Sequence, residues 1–345
     1  MNMAIFSKDL GIDLGSSNIL IYQAGKGVIL REPAVVALDK NSGKVLQVGA
    51  AARNMLGRTP GNVAAIHPIR DGVITDFEMT SKLLTELVRR VVKNSIIKPR
   101  MIVSVPSSIT EVEERAVIQA ATEAGARRVY LIEEPLAAGL GANLDVSTPK
   151  GRMVVDIGGG TTDIGILSMN AVANSASIKV AGVAFDEAIM KYVRKKYGLV
   201  IGRNTAEEAK HSIGCVYDRP DRLEYRVKGR NVKNGLAGEV VLSGEDMLEA
   251  LRRPARQIVE RVLDVLETST PELVSDIAEN GIVLTGGGSR IYGMDRLLQE
   301  WTQMNCMVAD DADSCVAFGC GRSIAWMNHM QENTINIARR RLLRE

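Results

Sequence analysis

The sequence has few of the residues that build metal or redox centres. Its 345 residues include four cysteines and three histidines, and no two cysteines form a C-x-x-C pair. This composition argues against a zinc site or a disulfide framework and fits a reducing cytoplasm. Cys315 and Cys320 are interpreted as small apolar residues of a packed element.

Charge of one sign and long apolar runs are also missing. The 43 basic and 41 acidic residues give a net charge of +2, so no overall field favours nucleic acid as a partner. The longest run without charge, residues 164–178, contains two asparagines and three serines and is too short to span a bilayer. A short apolar start followed by Lys8 and Asp9 lacks the form of a signal peptide. We therefore expect a cytoplasmic protein that can still touch a membrane surface.

Two similar α/β halves are predicted to follow one another along the chain. Strand patterns fill residues 11–38, and strands and helices then alternate up to an Ala/Gly-rich helix that begins at Pro135. The order begins again after Pro149, with strands predicted at 152–167, 177–182, 223–232 and 239–244 and in GIVLTGGG from residue 281, and with helices at 186–197, from Thr205 onward, at 245–268 and at 289–304. Strands followed by helices, twice, indicate two α/β halves rather than one barrel.

Local signals predict where some helices begin or bend. Thr110-x-x-Glu113 and Thr205-x-x-Glu208 have the form of capping boxes. Pro254 stands inside the long predicted helix of the second half, where it removes a backbone hydrogen bond. It predicts a kink or a division into two helices.

Two turns of the same form, one in each half, carry an aspartate beside glycine. Strand–Asp–x–Gly–turn–strand occurs around Asp13 and again around Asp156. Consecutive glycines let several backbone N–H groups converge on one anion, above all phosphate. An aspartate would repel that phosphate unless a divalent cation lay between them. The pair therefore predicts Mg²⁺, held through water, and a polyphosphate between the two halves.

A third glycine turn, at residues 285–289, follows a buried strand, where it suits the α-phosphate or ribose of a nucleotide. One D-x-G turn alone is more often a plain hairpin, but three glycine turns together favour a nucleotide site. The sequence contains no G-x-x-x-x-G-K-[ST], no G-x-G-x-x-G after a strand and no G-x-S-x-G. These absences exclude a P-loop, a dinucleotide fold and a nucleophile elbow.

The order of these motifs resembles the actin, sugar-kinase and chaperone ATPase superfamily. The motifs are IGIDLGSSNILIY, LIEEPLAAGLGANL, MVVDIGGGTTDIGILS and GIVLTGGGS. Between them, REPAVVALDKNSGKVLQVG, GRTPGNVAAIHPIRDGVITDFE, KPRMIVSVPSSITEVE and TPELVSDIAENGIVLTGGG resemble the bacterial actins of the MreB/Mbl family, over nearly the whole chain. The resemblance implies an α/β actin-like ATPase fold, in which two halves with ribonuclease-H-like cores surround a cleft for ATP and Mg²⁺. It also implies subdomains IA (1–32, 66–145 and 316–345), IB (33–65), IIA (146–182 and 246–315) and IIB (183–245).

The resemblance assigns site residues position by position. The first phosphate loop is Gly15, Ser16, Ser17 and Asn18, the second is Gly158, Gly159, Gly160 and Thr161, and Asp13 and Asp156 stand beside the metal. Glu134 is expected to orient the attacking water, with Asp156 as the second catalytic residue and Glu133 as the rival of Glu134.

The nucleoside is expected to contact Glu207 and Lys210, an E-x-x-K pair, together with the turn Gly286, Gly287, Gly288 and Ser289. Without the resemblance, Glu207 and Lys210 read as a surface ion pair on one helix face. One departure concerns the family's aspartate after Gly182. Val183 stands there instead, which puts hydrolysis or nucleotide preference in question.

Ile96 and Ile97 form an apolar loop flanked by lysines and an arginine, which suits shallow insertion into an anionic leaflet. The residues alone leave packing into the core equally open, and the family's membrane loop at this place favours the membrane. A single subunit would bind weakly, whereas a filament would bind strongly through many loops. The apolar start at residues 1–6 and the basic segment 339–343 could add to this contact.

The resulting hypothesis is an actin-like ATPase that polymerises with ATP into membrane-associated filaments directing cell-wall synthesis and rod cell shape. Its expected partners are further copies of itself, the inner face of the cell membrane and the cell-wall synthesis machinery, and not nucleic acid. Two alternatives stay open: a monomeric phosphotransferase of the same superfold, and a nucleotide-regulated scaffold with little ATP turnover, which Val183 keeps plausible.

Overall fold

The computed structural model describes residues 9–57, 59–92 and 97–325. The strands are β1 (Leu10–Leu14), β2 (Asn18–Gln23), β3 (Gly27–Pro33), β4 (Val36–Asp39), β5 (Val45–Val48), β6 (Val63–Ile66), β7 (Ile69–Arg70), β8 (Val73–Ile74), β9 (Arg100–Val105), β10 (Arg128–Glu133), β11 (Arg152–Ile157), β12 (Thr162–Ser168), β13 (Ala171–Ile178), β14 (Leu199–Val200), β15 (Glu224–Asn231), β16 (Ala237–Ser243), β17 (Ile282–Thr285) and β18 (Cys306–Val308). The helices are α1 (Ala50–Arg53), α2 (Phe77–Val91), α3 (Glu111–Glu123), α4 (Glu134–Gly141), α5 (Gly182–Tyr197), α6 (Arg203–Ile213), α7 (Gly244–Glu267), α8 (Pro271–Asn280), α9 (Met294–Thr302) and α10 (Cys315–Ser323).

Two five-stranded sheets of the same design form the centres of the two halves. The first has the order β3-β2-β1-β9-β10, and the second has the order β13-β12-β11-β17-β18. In each, an antiparallel hairpin, β1–β2 or β11–β12, is followed on one side by parallel strands. The central strands are buried on both faces because helices cover them, as their continuous apolar runs predict. The predicted pair of similar α/β halves is confirmed.

Two smaller sheets extend the halves. The sheet β5-β4-β6 belongs to the segment between β3 and β7, and the sheet β14-β15-β16 lies between α5 and α7. The second sheet falls within the segment assigned to IIB, and the first falls within that assigned to IB except for its last residue, Ile66. The division into four subdomains itself stays a prediction.

Helices α4 and α10 pack against each other where the halves join. Gly319 lies so close to α4 that an added Cβ would be 1.7 Å from the carbonyl oxygen of Ala137, and one on Gly141 would be 1.8 Å from that of Cys315. Such an approach requires residues without a Cβ. Cys315 and Cys320 lie in α10 as buried free thiols, as predicted.

Several element ends differ from the sequence prediction. The third strand of the second sheet is Ala171–Ile178, so the strand predicted at 177–182 was placed too late. The helix predicted at 289–304 begins only at Met294, after a short 3₁₀ turn. The capping box at Thr110 is confirmed.

The capping box predicted at Thr205 is wrong. Helix α6 already begins at Arg203, after Gly202, and carries no side-chain cap. Helix α7 continues through Pro254 as one helix of 24 residues, so its division into two pieces is also wrong. None of the helices in the described part of the chain combines the length and the apolar character that a bilayer span needs.

Candidate functional site

The three glycine turns meet at one cavity of about 660 Å³ between the two halves. Its lining includes almost every residue that the sequence assigned to the nucleotide, namely Asp13, Gly15, Ser16, Ser17, Asn18, Glu134, Asp156, Gly158, Gly159, Gly160, Thr161, Glu207, Lys210, Gly286, Gly287 and Gly288. Ser289 is the exception, because it is buried off the cavity and its hydroxyl donates to the carbonyl oxygen of Gly286 at 2.7 Å. Their roles toward a nucleotide stay predictions.

The two phosphate loops, residues 15–18 and 158–161, approach each other closely at this cavity. A Cβ on Gly159 would lie 2.0 Å from Ser17 Oγ, and one on Gly160 would lie 2.6 Å from Ser16 Oγ. The Ser16 hydroxyl also accepts a hydrogen bond of 2.9 Å from the backbone N–H of Gly72. Only glycine permits this close approach of the two loops, because any Cβ at these positions would overlap the opposite loop.

Asp13 and Asp156 lie at the ends of the equivalent strands β1 and β11. Burial, together with the charge of Asp156, raises the pKa of Asp13 to about 7. Burial also raises the pKa of Asp156 to about 7, although Thr285 donates a hydrogen bond of 2.6 Å to its carboxylate. Asp156 is buried and Asp13 is half-buried, and two carboxylates with mutually unfavourable charge fit a hard divalent cation held through water.

Glu134, and not its rival Glu133, lines the cavity. It is the first residue of α4, and Pro135 follows it within the first turn of that helix. Burial, reinforced by the charges of Asp163 and Asp156, raises the pKa of Glu134 well above its usual value.

Asp163 is a buried acid that the sequence interpretation missed. It lies on β12 directly opposite Asp156 of β11, and its charge is among the causes that raise the pKa of Glu134. The sequence did contain a signal for Asp163, since it is the second aspartate of the hairpin that carries Asp156.

Glu207 and Lys210 both line the cavity, yet their charged groups bond to other residues. Lys210 is buried, lies 2.7 Å from the carboxylate of Asp186 and donates to the carbonyl oxygen of Gly182 at 2.9 Å. Glu207 pairs instead with Arg53 of α1, from the other half. The interpretation as a surface pair between Glu207 and Lys210 is therefore wrong.

His211 and Arg53 lower the pKa of Glu207 to about 2, with burial acting in the opposite direction. The carboxylate of Glu207 is consequently ionised at neutral pH. The ion pair of Glu207 with Arg53 joins the two halves at the mouth of a second cavity of about 340 Å³. Val183 lines that second cavity, and its backbone N–H donates to the carbonyl oxygen of Gly159 at 2.8 Å.

Arg31 is a second residue that the sequence interpretation did not single out. It lies on β3 and lines the main cavity, where its guanidinium pairs with Asp313 and donates to Ser314 Oγ at 2.6 Å. Arg31 and Asp313 are 282 positions apart, and no local pattern in the sequence connects them.

The apolar loop is only partly within the described structure. Ile96 lies outside the described residues, and Ile97 is 40% exposed. Membrane contact by this loop stays a prediction.

Comparison with known proteins gives one family over nearly the whole chain. A family model described as "MreB/Mbl protein" matches residues 7–332. The chain is 44% identical to the cell shape-determining protein Mbl of Bacillus subtilis, over 96% of this chain and all of that protein. It is 48% identical to the cell shape-determining protein MreB of Escherichia coli, over 93% of this chain and 94% of that one.

Solved structures agree with the sequence comparison. MreB5 of Spiroplasma citri bound to ADP superimposes with a TM-score of 0.88 at 34% identity, covering 94% of this chain and 97% of that one. The MamK double helical filament superimposes with a TM-score of 0.79 at 23% identity, covering 92% and 98%. The second likeness concerns the fold alone.

Proposed function

This chain belongs to the MreB/Mbl family and has the actin-like α/β fold, and from that premise we propose that it is a cytoskeletal ATPase. It polymerises with ATP into filaments that direct cell-wall synthesis and rod cell shape. One observation carries the nucleotide part: two equivalent hairpins, one from each half, bring their glycine loops and aspartates to the same cavity. The cell-shape part follows from the relatives, which are cell shape-determining proteins at 44% and 48% identity.

ATP is the proposed nucleotide because structures of the 33–34% identical MreB5 contain ADP or AMPPNP. In this chain Gly15–Asn18 and Gly158–Thr161 would hold the phosphates, and Gly286–Gly288 would face the ribose or α-phosphate. Asp13 and Asp156 would hold Mg²⁺ through water, and the ion would neutralise charge on the phosphates. Glu207 and Lys210, which line the same cavity, would contact the nucleoside.

Hydrolysis would depend on how Glu134 orients the attacking water. Glu134 lines the cavity, where burial and the charge of Asp163 raise its pKa. In its ionised form, Glu134 would accept a hydrogen bond from water and orient that water toward the terminal phosphate.

The filament would act at the inner face of the cell membrane, alongside the cell-wall synthesis machinery. Both halves of the cleft would contact the terminal phosphate, so its presence would set the angle between them and hence the contacts between subunits. The exposed Ile97 and its neighbours would then anchor the polymer by multivalency.

High-speed sedimentation tests this proposal. The protein is incubated with Mg-ATP, with ADP or without nucleotide, each with and without anionic liposomes. Pelleting that requires ATP, or ATP plus lipid, supports the proposal. A protein that stays soluble in every condition while hydrolysing ATP would instead be a monomeric phosphotransferase, and one that assembles without releasing phosphate would be a scaffold.

Two glycine variants give a matched pair for this assay. Gly159→Ala places a Cβ 2.0 Å from Ser17 Oγ and should abolish ATP-dependent pelleting. Gly61→Ala places one in open space and should pellet as the wild type does.

A further inference from the structure

Arg31 reaches across the cleft from one half to the other. It lies opposite Leu20 on the β2–β3 ladder, two residues before Pro33, which pairs with Asn18 of the first phosphate loop. Arg31 therefore projects from the same face of the hairpin as Asn18, because alternate residues of a strand share a face. Both side chains line the cavity.

Two other cations of the cavity are tied to fixed partners. Lys210 is buried against Asp186 and the carbonyl of Gly182. Arg219 pairs with Asp221, and its guanidinium lies 4.7 Å from the ring centre of Tyr292. Neither can approach a phosphate without breaking these contacts.

The ion pair between Arg31 and Asp313 is weaker than the contacts of Lys210. The side chains of Arg31 and Asp313 are 43% and 28% exposed, and ion pairs of such exposure contribute little to stability. Asp313 also has a second cation, Arg290, at 3.6 Å. When Arg31 leaves, it gives up this pair and one hydrogen bond to Ser314 Oγ, whereas Asp313 keeps Arg290 as a cation.

We propose that Arg31 is a phosphate-binding residue of the nucleotide site, whose guanidinium exchanges the carboxylate of Asp313 for phosphate oxygens when nucleotide enters. The proposal rests on the proposed function of the cleft as a nucleotide site. A planar guanidinium suits this exchange, because carboxylate and phosphate present similar pairs of oxygens to its two N–H groups.

The exchange would link phosphate binding to the third glycine turn. Asp313 belongs to the segment whose Ala312 carbonyl accepts a hydrogen bond of 2.7 Å from the N–H of Gly286. Release of Arg31 would free this segment from β3, so both halves would respond to the same phosphate.

Calorimetric titration of the full chain with Mg-AMPPNP, Mg-ADP and adenosine tests the proposal. The protein is kept below the concentration at which it sediments. Arg31→Gln should weaken AMPPNP and ADP binding by about tenfold to a hundredfold, the usual range for a lost charged hydrogen bond, and leave adenosine binding unchanged. Arg31→Lys should lose less, because it keeps the charge without the paired N–H geometry.

The decisive variant is Asp313→Asn, because it removes the competing anion. It should tighten AMPPNP binding by about twofold to fivefold, the size expected for an exposed ion pair. Arg226→Gln, which breaks an exposed ion pair with Glu239, serves as the control and should change neither ligand.

Other outcomes overturn the proposal. If Arg31→Gln and Asp313→Asn weakened the binding of AMPPNP and of adenosine equally, the ion pair between Arg31 and Asp313 would have a structural role only. Unchanged AMPPNP binding in Arg31→Gln would leave Arg31 no part in phosphate binding. Wild-type protein that binds no nucleotide would instead refute the nucleotide site itself, before any variant is made.

Discussion

The ammonium group of Lys210 lies 2.7 Å from a carboxylate oxygen of Asp186, and the two side chains are only 8% and 4% exposed. Lys210 also donates to the carbonyl oxygen of Gly182. The backbone N–H of Gly182 in turn donates to the carbonyl oxygen of Gly158 at 3.1 Å. The second phosphate loop is thus supported from behind by a buried ion pair. Lys210 therefore has a structural function in addition to its position at the cavity.

Lys210→Met should destabilise the protein by about 3–5 kcal/mol, because it leaves the buried carboxylate of Asp186 without its cation. Urea unfolding measures the change. The double variant Lys210→Met/Asp186→Asn should recover part of the loss, since the uncompensated charge is removed. Lys82→Met, which breaks an exposed i,i+4 pair with Glu78, should cost only about 0.5 kcal/mol. Similar losses for the two single variants would contradict this account.

Glu134→Gln should slow phosphate release by at least about a hundredfold, the lower end for loss of a general base, while ATP binding and sedimentation persist. Glu133→Gln is the matched control, because Glu133 is adjacent in the chain but does not line the cavity. It should release phosphate at nearly the wild-type rate. Slow release in the Glu133 variant alone would transfer the predicted role to Glu133.

The two glycine loops could be predicted because their chemistry is local. Each needs an aspartate and glycines within a few residues, so the motif is visible in the chain, and the repeated strand order follows from buried apolar runs. The start of α6 was predicted wrongly because a local pattern was taken there as sufficient evidence. Thr205-x-x-Glu208 has the right spacing, but the helix begins two residues earlier and its first turn has no side-chain cap.

Contacts between distant segments could not be predicted. Arg31 with Asp313 and Arg53 with Glu207 depend on the angle at which the halves meet, which no local pattern encodes. Strand Ala171–Ile178 was placed too late because an edge strand with several polar, half-exposed residues lacks the apolar run of its neighbours.

Ile97→Asp should weaken the pelleting of ATP filaments with anionic liposomes, because it places a charge where an exposed apolar side chain is expected to enter the leaflet. Sedimentation without lipid should be unchanged. Met169→Asp is the control, because Met169 is 59% exposed and its positive φ of 51° is readily adopted by aspartate. Equal losses of lipid binding in the two variants would indicate a general charge effect instead of a membrane loop.

Asp13 and Asp156 should make stability fall as pH rises when no divalent cation is present. Both have a pKa of about 7 in the folded chain and about 4 when unfolded. Between these values the folded state binds more protons than the unfolded state, so the free energy of unfolding decreases with pH in that window. Above about pH 7 their contribution is constant. Thermal unfolding in EDTA from pH 5 to 8 measures this trend, and Asp13→Asn should flatten it.

The same two acids should make Mg²⁺-dependent nucleotide binding release protons. A divalent cation requires the ionised carboxylates, so below about pH 7 it must displace their protons, and each displaced proton weakens binding about tenfold per pH unit. Calorimetry of Mg-AMPPNP at pH 6.0 in buffers of different ionisation enthalpy counts the protons released. The nucleotide contributes equally in every variant, so Asp13→Asn should release fewer protons than the wild type. Equal release would mean that Asp13 is already ionised in the free protein, and that Arg31 and water stabilise its charge despite burial.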